Sequence, residues 1–393
     1  MEDPAVCDWS GLPVDVLAGV LALLEIPDIF SSGAVCRSWN EAYLAVRRRG
    51  LFSRRQQSPC LLYFSIDHGP DVATLHRLIT GSRPYHVALS PADGDDDATT
   101  SFVHPRHVVG CSHGWLVAAD LRCELHLENP VTRRRVAMPP ANTLVVFNPR
   151  LDWSSPKTMD DVRRSLYVRA ILSSDPGDSS CTVLLINQTE NYLSFARPGD
   201  PSWTMIQEDI DCQTYHDCMY DATDCMFYAV RSSGEVHAIF LNAPDPVVSS
   251  IFPPISCKKS INCTKYIARA PWGDLLQIWR KYGYTNGRKR TYELTVYKVD
   301  MVEEKLHEIN ELQGNALFIG FNESFFVAAK DFPGLAPNCV YLAHDRARNS
   351  HKSTLQEVVV FDIQDGSFRD FMPAPNAWLK LPPPIWIRPS NTL

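Results

Sequence analysis

From Cys60 onward the chain keeps no helical period, and this constrains its fold more than any other feature. Short apolar runs follow one another to the C-terminus, each closed by Gly, Asp, Asn or Pro. Cys60–Phe64, His107–Val109, Trp115–Ala118, Leu125–Leu127 and Arg135–Ala137 come first. Ser165–Leu172, Thr182–Ile186, Asn191–Ala196, Met226–Val230 and Val236–Phe240 continue the series. Tyr266–Arg269, Leu275–Trp279, Glu293–Val299, Ala316–Phe318, Phe325–Ala328, Cys339–Leu342, Glu357–Asp362 and Ser367–Phe371 complete it. Runs this short, rich in β-branched and aromatic residues, predict antiparallel all-β structure. The 29 prolines suit turns and would break helices.

Weak self-similarity selects among β architectures. Leu125–Asn129, Leu294–Asp300 and Val358–Asp362 are each an apolar strand closed by a polar or acidic residue. Each leads through a short turn to another strand: Arg135–Ala137, Leu306–Glu308 and Phe368–Phe371. Such repeated outer hairpins predict the blades of a β-propeller, whose radial repetition hides sheet edges. At ~45–50 residues per blade the segment holds six or seven blades. A large sandwich is the other architecture that this pattern allows. Pro384–Ile387 is apolar and near the C-terminus, and is expected to complete or brace a terminal blade.

The N-terminal stretch is different. Pro13 sits where a helix would start, with φ preset and no N–H to lose. Val16, Leu17, Val20, Leu21 and Leu24 then recur on one face at the helical period. Pro27-Asp28 breaks that helix and opens a short second one around Ile29 and Phe30. Val35, Trp39 and Tyr43 mark a third. Three short amphipathic helices cannot bury their apolar surface alone, so the unit needs the rest of the chain or another protein.

Leu12-Pro13, Asp15, Leu17, Leu21 and Leu24, followed by Asp28, Ile29 and Val35-Cys36-Arg37-Ser38-Trp39, resemble an F-box. Val16-Leu17, where the family often shows two leucines or isoleucines, is a conservative departure. The resemblance implies docking on a Skp-type adaptor of a cullin-RING (SCF) ubiquitin ligase. It assigns the adaptor-facing role to Leu12, Pro13, Val16, Leu17, Leu21, Leu24, Ile29, Val35, Cys36 and Trp39. A second resemblance lies in Gly110–Val117, Leu125–Thr132, Met138–Pro140, Phe195–Trp203, Gly314–Gly320 and Phe332–Tyr341. These stretches are similar to the associated β-propeller of a plant F-box family. The expected layout is a flexible N-terminus over 1–8, an F-box over 9–50, a linker over 51–59 and a propeller over 60–390. The linker holds no apolar run to weld the helices to the first strand. The implied function is a substrate receptor, with the propeller holding a target protein. An F-box binder without ubiquitin transfer is the second reading.

Other chemistry is expected to be absent. A net charge of −7 argues against nucleic acid as the main partner. Arg47–Arg49 with Arg54-Arg55, and Arg133–Arg135, read as solvated charge. Met1–Pro4 lacks the apolar run of a signal peptide, and no window has the 18 apolar residues of a membrane span. The 12 cysteines are scattered without a C-x-x-C, as in a reducing compartment, so the cytosol or nucleus is expected and the Asn-x-Ser/Thr sites at Asn187, Asn262 and Asn322 are coincidental. Asp93–Asp97 lacks the ligand pattern of a calcium loop. Cys212, His216, Cys218, Cys225, Cys257 and Cys263 miss the paired spacings of structural zinc, so no metal or other cofactor is expected. Asp160-Asp161 and Glu303-Glu304 read as loop charges. Gly110-Cys111-Ser112-His113-Gly114 fits the G-x-S-x-G of a hydrolase. It runs strand to turn to strand, whereas a nucleophile elbow leads into a helix. Its glycines suit a hairpin or bulge with positive φ. Of the tryptophans, most are expected in blade cores, while Trp203 and Trp272 sit beside turns and are candidates for target recognition.

Overall fold

A computed structural model describes residues 9–26, 28–49, 57–78, 84–91, 104–144, 162–163, 166–187, 192–206, 213–242, 245–255, 262–285, 288–343, 357–371 and 381–390. The N-terminus over 1–8, Arg54-Arg55 and most of the linker, Asp93–Asp97, Asp160-Asp161, Cys212 and Cys257 lie outside them.

Three helices come first: α1 (Val14–Leu21), α2 (Asp28–Gly33) and α3 (Arg37–Arg48). The strands then form six sheets. Blade one contains β1 (Cys60–Phe64), β2 (Val72–Arg77) and β3 (Tyr85–Ala88). Blade two is β4 (His107–Ser112), β5 (Trp115–Ala119), β6 (Leu125–Glu128) and β7 (Arg135–Ala137). Blade three is β8 (Tyr167–Leu172), β9 (Val183–Asn187), β10 (Leu193–Ala196) and β11 (Thr204–Ile206). Blade four is β12 (Tyr215–Asp221), β13 (Met226–Arg231), β14 (Val236–Phe240) and β15 (Val247–Phe252). Blade five is β16 (Cys263–Arg269), β17 (Leu275–Thr285), β18 (Arg288–Asp300) and β19 (Lys305–Ile309). Blade six has five strands: β20 (Asn315–Ile319), β21 (Phe325–Ala328), β22 (Cys339–Ala343), β23 (Val358–Asp362) and β24 (Phe368–Asp370). In it β20 runs parallel to β22. The last strand, β25 (Ile385–Ile387), returns to pair with β1 and closes the ring, as expected of Pro384–Ile387.

Six apolar clusters, one between each neighbouring pair of blades, show why this is a six-bladed propeller and not a sandwich. A sandwich would gather these side chains into one layer. Trp115 and Trp386, both 0 % exposed, belong to two of the clusters.

The hairpins repeat a local rule. Asn129, Asp221, Asp300 and Asp362 each end a strand and accept backbone N–H bonds from the residues two or three further on. Four positions later Arg133, Cys225, Glu304 and Gly366 have φ of 59°, 54°, 53° and 71°. The side-chain oxygen fixes the start of each turn and a left-handed residue ends it. This is the self-similarity visible in the sequence.

Ion pairs hold the blades, one half-exposed between blades one and two, one buried within blade two and one buried between blades five and six. Arg106 Nε lies 3.0 Å from Glu128 Oε2, and its Nη1 lies 2.7 Å from Asp71 in blade one. Arg280 Nη2 of blade five lies 3.0 Å from Glu357 Oε2, which leads into β23. The Glu128 and Glu357 pairs, buried on both sides, gain little net stability because both charges lose water, but removing one partner is costly.

The helices rest on blades one and two. The Asp28 carboxylate accepts from Arg77 at 2.5 Å and from the Tyr85 hydroxyl. Gln57 Oε1 accepts the Ile26 N–H at 2.7 Å, and Val131 packs on the helical core. The seat is therefore largely polar, which an apolar-run search cannot detect. It fixes a sidedness. Asn129, beside Val131, donates to Ser390, and a β-carbon on Gly114 would touch Ser390. Leu172 bonds Ser112, Asp221 bonds Arg269, and Cys60 opposes both Ile387 and Arg77. The inner strands β25, β4, β8, β12 and β16 thus end on the face that carries the helices.

Candidate functional site

The helical unit gathers several exposed apolar side chains around one cleft. α1 buries Leu17, Ala18 and Leu21, and α3 buries Ala42, Tyr43 and Val46. A β-carbon on Gly33 would lie 2.9 Å from the Tyr43 ring, so α2 and α3 pack backbone against ring. On the outer side, Trp9 is 60 % exposed, Val16 47 %, Val20 41 % and Val35 63 %. A cleft of about 420 Å³ lies between the Trp9 turn, α1 and the start of α3. Trp9, Leu12, Leu17, Val20, Val35, Cys36 and Trp39 line it. The Trp39 indole donates to Trp9 O at 3.3 Å and braces the rim. Exposed aliphatic side chains gathered around an apolar cleft are more than the scattered apolar residues of an ordinary surface.

The axis of the ring is polar instead. Arg169 of β8 lies 3.0 Å from Asp217 of β12, and both are buried. Asp217 also accepts from Ile267 N, Cys218 N and, at 3.4 Å, the Ser324 hydroxyl. Burial pushes Asp217 up to about 6, against the opposing pull of Arg169 and these donors. Glu323 accepts from Tyr220 N at 3.1 Å and from Ser112, and burial pushes it up to about 7. The arrangement ties inner strands together across the axis.

Comparison with known proteins decides the family. The F-box domain family matches residues 9–42, and the KIB1-4 beta-propeller family matches residues 88–362. This is an F-box protein of the KIB1-4 β-propeller family. Its relatives in Arabidopsis thaliana include the putative F-box protein At5g55150, 23 % identical, over 79 % of this chain and 78 % of the relative. F-box protein At2g05970 is 21 % identical over 92 % and 91 %. F-box protein SKIP23 is 24 % identical over 97 % and 95 %.

In this F-box protein the residues expected to face an adaptor divide into two sets. Val16, Val35 and Pro13 are exposed, and Leu12, Leu24, Cys36 and Trp39 are half-buried. Leu17, Leu21 and Ile29 are 0 % exposed and form the unit's own core. Their expected place on the outer patch is corrected: one helical face supplies the core, and Leu17 reaches the cleft only as its floor. Trp9 and Val20 belong to the outer surface and were not among the expected residues. Val20 carried the signal, because it continues the apolar stripe one turn after Val16.

The G-x-S-x-G stretch is a hairpin. His113 and Gly114, with φ of 52° and 80°, form a two-residue turn between the paired Ser112 and Trp115, the backbone of a type I′ turn. Ser112 is 4 % exposed and its oxygen accepts the Leu172 N–H at 3.2 Å. The nucleophile-elbow geometry is absent. Gly110 sits at a bulge as expected, but its φ is not positive. A β-carbon there would lie 1.8 Å from Ala170 O, so the adjoining inner strand requires glycine.

Trp203 does not face outward. It is 5 % exposed in the core between blades two and three, with its indole bonded to Pro139 O at 2.9 Å. The turn beside it exposes the backbone and not the ring, so its recognition role is corrected to packing. Trp272 is half-buried in the turn after β16, against Phe326, on the side that carries the helices. Among the described cysteines, Cys218 is buried and Cys225 exposed, and His216 Nδ1 accepts Lys265 N. Asp300, Glu303 and His307 are the one metal-compatible group among the described residues, and Glu303 already pairs with Lys305.

Proposed function

We propose that this F-box protein is a substrate receptor of an SCF-type ubiquitin ligase. The helical unit docks a Skp-type adaptor, the adaptor joins it to a cullin, and the propeller holds a target protein. The apolar cleft of Trp9, Val20, Val35 and Trp39, with Val16 exposed one turn before Val20, carries this reading. Fully burying a valine contributes ~1.5–3 kcal/mol, so such a surface favours a protein partner over water. The protein would act as a non-catalytic adaptor in the cytosol or nucleus, with recognition and ubiquitin transfer on separate subunits.

The test is co-expression with a Skp-type adaptor and a cullin, followed by size-exclusion chromatography and ubiquitin transfer to a captured partner. A stoichiometric complex that modifies the partner supports the proposal. A folded chain that forms no complex with the adaptor refutes it. A complex that binds partners without modifying them would favour the regulatory binder.

A further inference from the structure

We infer that the extended β17–β18 hairpin is a target-binding finger that takes an acidic segment of the target protein. The inference rests on the receptor reading above and specifies where and what the propeller binds.

The two strands have 11 and 13 residues, longer than every other strand among the described residues. β16 covers β17 only as far as Lys281, and β19 covers β18 only from Val296. Beyond Lys281, Tyr282 still donates its N–H to Asn262 O at 3.1 Å, and among the described residues Gly283↔Arg290, Tyr284↔Lys289 and Thr285↔Arg288 pair with each other alone. Three such rungs extend the ribbon by ~10 Å. β17 starts beside the end of β16, on the helix-bearing face, so its far end projects from the opposite face.

A two-stranded ribbon is marginal by itself, and here its base is clamped. Arg280 bonds Thr291 Oγ1 at 2.8 Å and Glu357 at 3.0 Å. Thr291 donates to Glu357 through both its hydroxyl and its N–H. Arg290 reaches Asp370 of β24 at 3.2 Å. Blade six thereby holds the finger in one direction, although the ring needs no such projection to close.

Its surface is that of a binding element. Outside the helical unit, Tyr284 (50 %) and Tyr292 (60 %) are the only exposed large aromatic residues among those described. A β-carbon on Gly283 would lie 3.8 Å from the Tyr292 ring, so glycine leaves that ring a flat bed. Tyrosines of this kind give contact area at low entropic cost. The segment 281–293 carries Lys281, Arg288, Lys289 and Arg290 against Glu293, and with Asp370, which pairs with Arg290, the local sum is +2 on a chain of net −7. Complementarity therefore selects an acidic polypeptide. A short acidic segment can engage the finger alone, whereas a long polyanion would run onto the acidic remainder of the chain and be repelled.

The test uses the full chain bound to a Skp-type adaptor and fluorescence anisotropy of a labelled Glu/Asp peptide of about twelve residues. A lysine peptide of the same length, a single-stranded oligonucleotide and phosphatidylserine vesicles are the comparison probes. Arg288→Glu with Lys289→Glu, and separately Tyr284→Ser with Tyr292→Ser, should each weaken acidic-peptide binding by about tenfold or more. Melting temperature and adaptor binding should stay unchanged, and raising salt from roughly 50 to roughly 300 mM should weaken the wild type. Peptide affinity unchanged in both variants overturns the inference. So does tighter binding of the oligonucleotide or vesicles, or self-association in sedimentation that the variants abolish. Loss of adaptor binding in a cleft variant that still takes the acidic peptide leaves the finger intact. Failure to dock even in the wild type would sink the receptor reading instead.

Discussion

Trp386→Ala is the sharpest test of how the ring closes. Trp386 sits in the middle of β25, is 0 % exposed, and opposes Leu61 of β1. Its ring lies 5.2 Å from Phe318, 6.0 Å from Tyr341 and 5.4 Å from Phe371, so it joins blade one to blade six. Truncating a buried Trp to Ala costs ~3–5 kcal/mol. Three aromatic contacts, each adding ~0.5–1.5 kcal/mol, place this site at the upper end, about 5 kcal/mol. Trp386→Phe should cost far less. The Trp386 indole N–H has no hydrogen-bond partner among the described residues, so its removal relieves a penalty of ~1–3 kcal/mol that partly offsets the lost volume. Urea unfolding followed by far-ultraviolet circular dichroism measures both variants. The alanine variant should lose about 5 kcal/mol and the phenylalanine variant under about 2 kcal/mol. Ending the chain after Leu381 removes β25 altogether and should give aggregation through the exposed strand edges. An alanine variant within about 1 kcal/mol of wild type would refute the closure described here.

Three further outcomes follow from named side chains. Leu17→Asp with Leu21→Asp should unfold the helical unit, since both sites are 0 % exposed; limited proteolysis should cut within residues 9–49 of the variant and not of the wild type. Ser112→Ala should cost ~1–3 kcal/mol by orphaning the buried Leu172 N–H, and a serine-reactive fluorophosphonate should label neither protein. Burial raises Glu323 from 4.5 to about 7, so between those values the folded state holds a proton that the unfolded state has released. Stability is therefore gained as pH falls through that window and lost as it rises. Thermal melts between roughly pH 8 and roughly pH 6 should show a rise that Glu323→Gln diminishes, and equal slopes would contradict the burial of this carboxylate.

Much of the fold was legible because its signals are local. Pro13, the apolar spacing to Leu24 and the break at Pro27 mark the helices. Asn129, Asp300 and Asp362 repeat because the same turn, found also after Asp221, recurs in four blades. The blade count was not legible, since inner strands on a polar axis lose their alternation: β12 carries His216 and Asp217, and Asp217 serves Arg169 from another blade. The finger was missed because Leu275–Trp279 and Glu293–Val299 looked like complete strands. The Asn286-Gly287 dipeptide between Tyr- and Thr-containing flanks is the sequence signal that favours a hairpin there. For the docking site, periodicity found the right helix but could not say which of Val16, Leu17, Val20 and Leu21 faced inward. A single apolar stripe on so short a helix serves both core and surface, and only packing separates them.

The most direct test of the receptor account is adaptor affinity in a variant that changes only the outer surface. Val16→Asp with Val35→Asp alters side chains that are 47 % and 63 % exposed, leaving the core of Leu17, Leu21 and Ile29 intact. Each valine buried at an interface contributes ~1.5 kcal/mol or more. Titration calorimetry with a purified Skp-type adaptor should therefore show affinity lost by about a hundredfold or more, with the wild-type melting temperature retained. Affinity within about threefold of wild type in the folded double variant would contradict docking through this face.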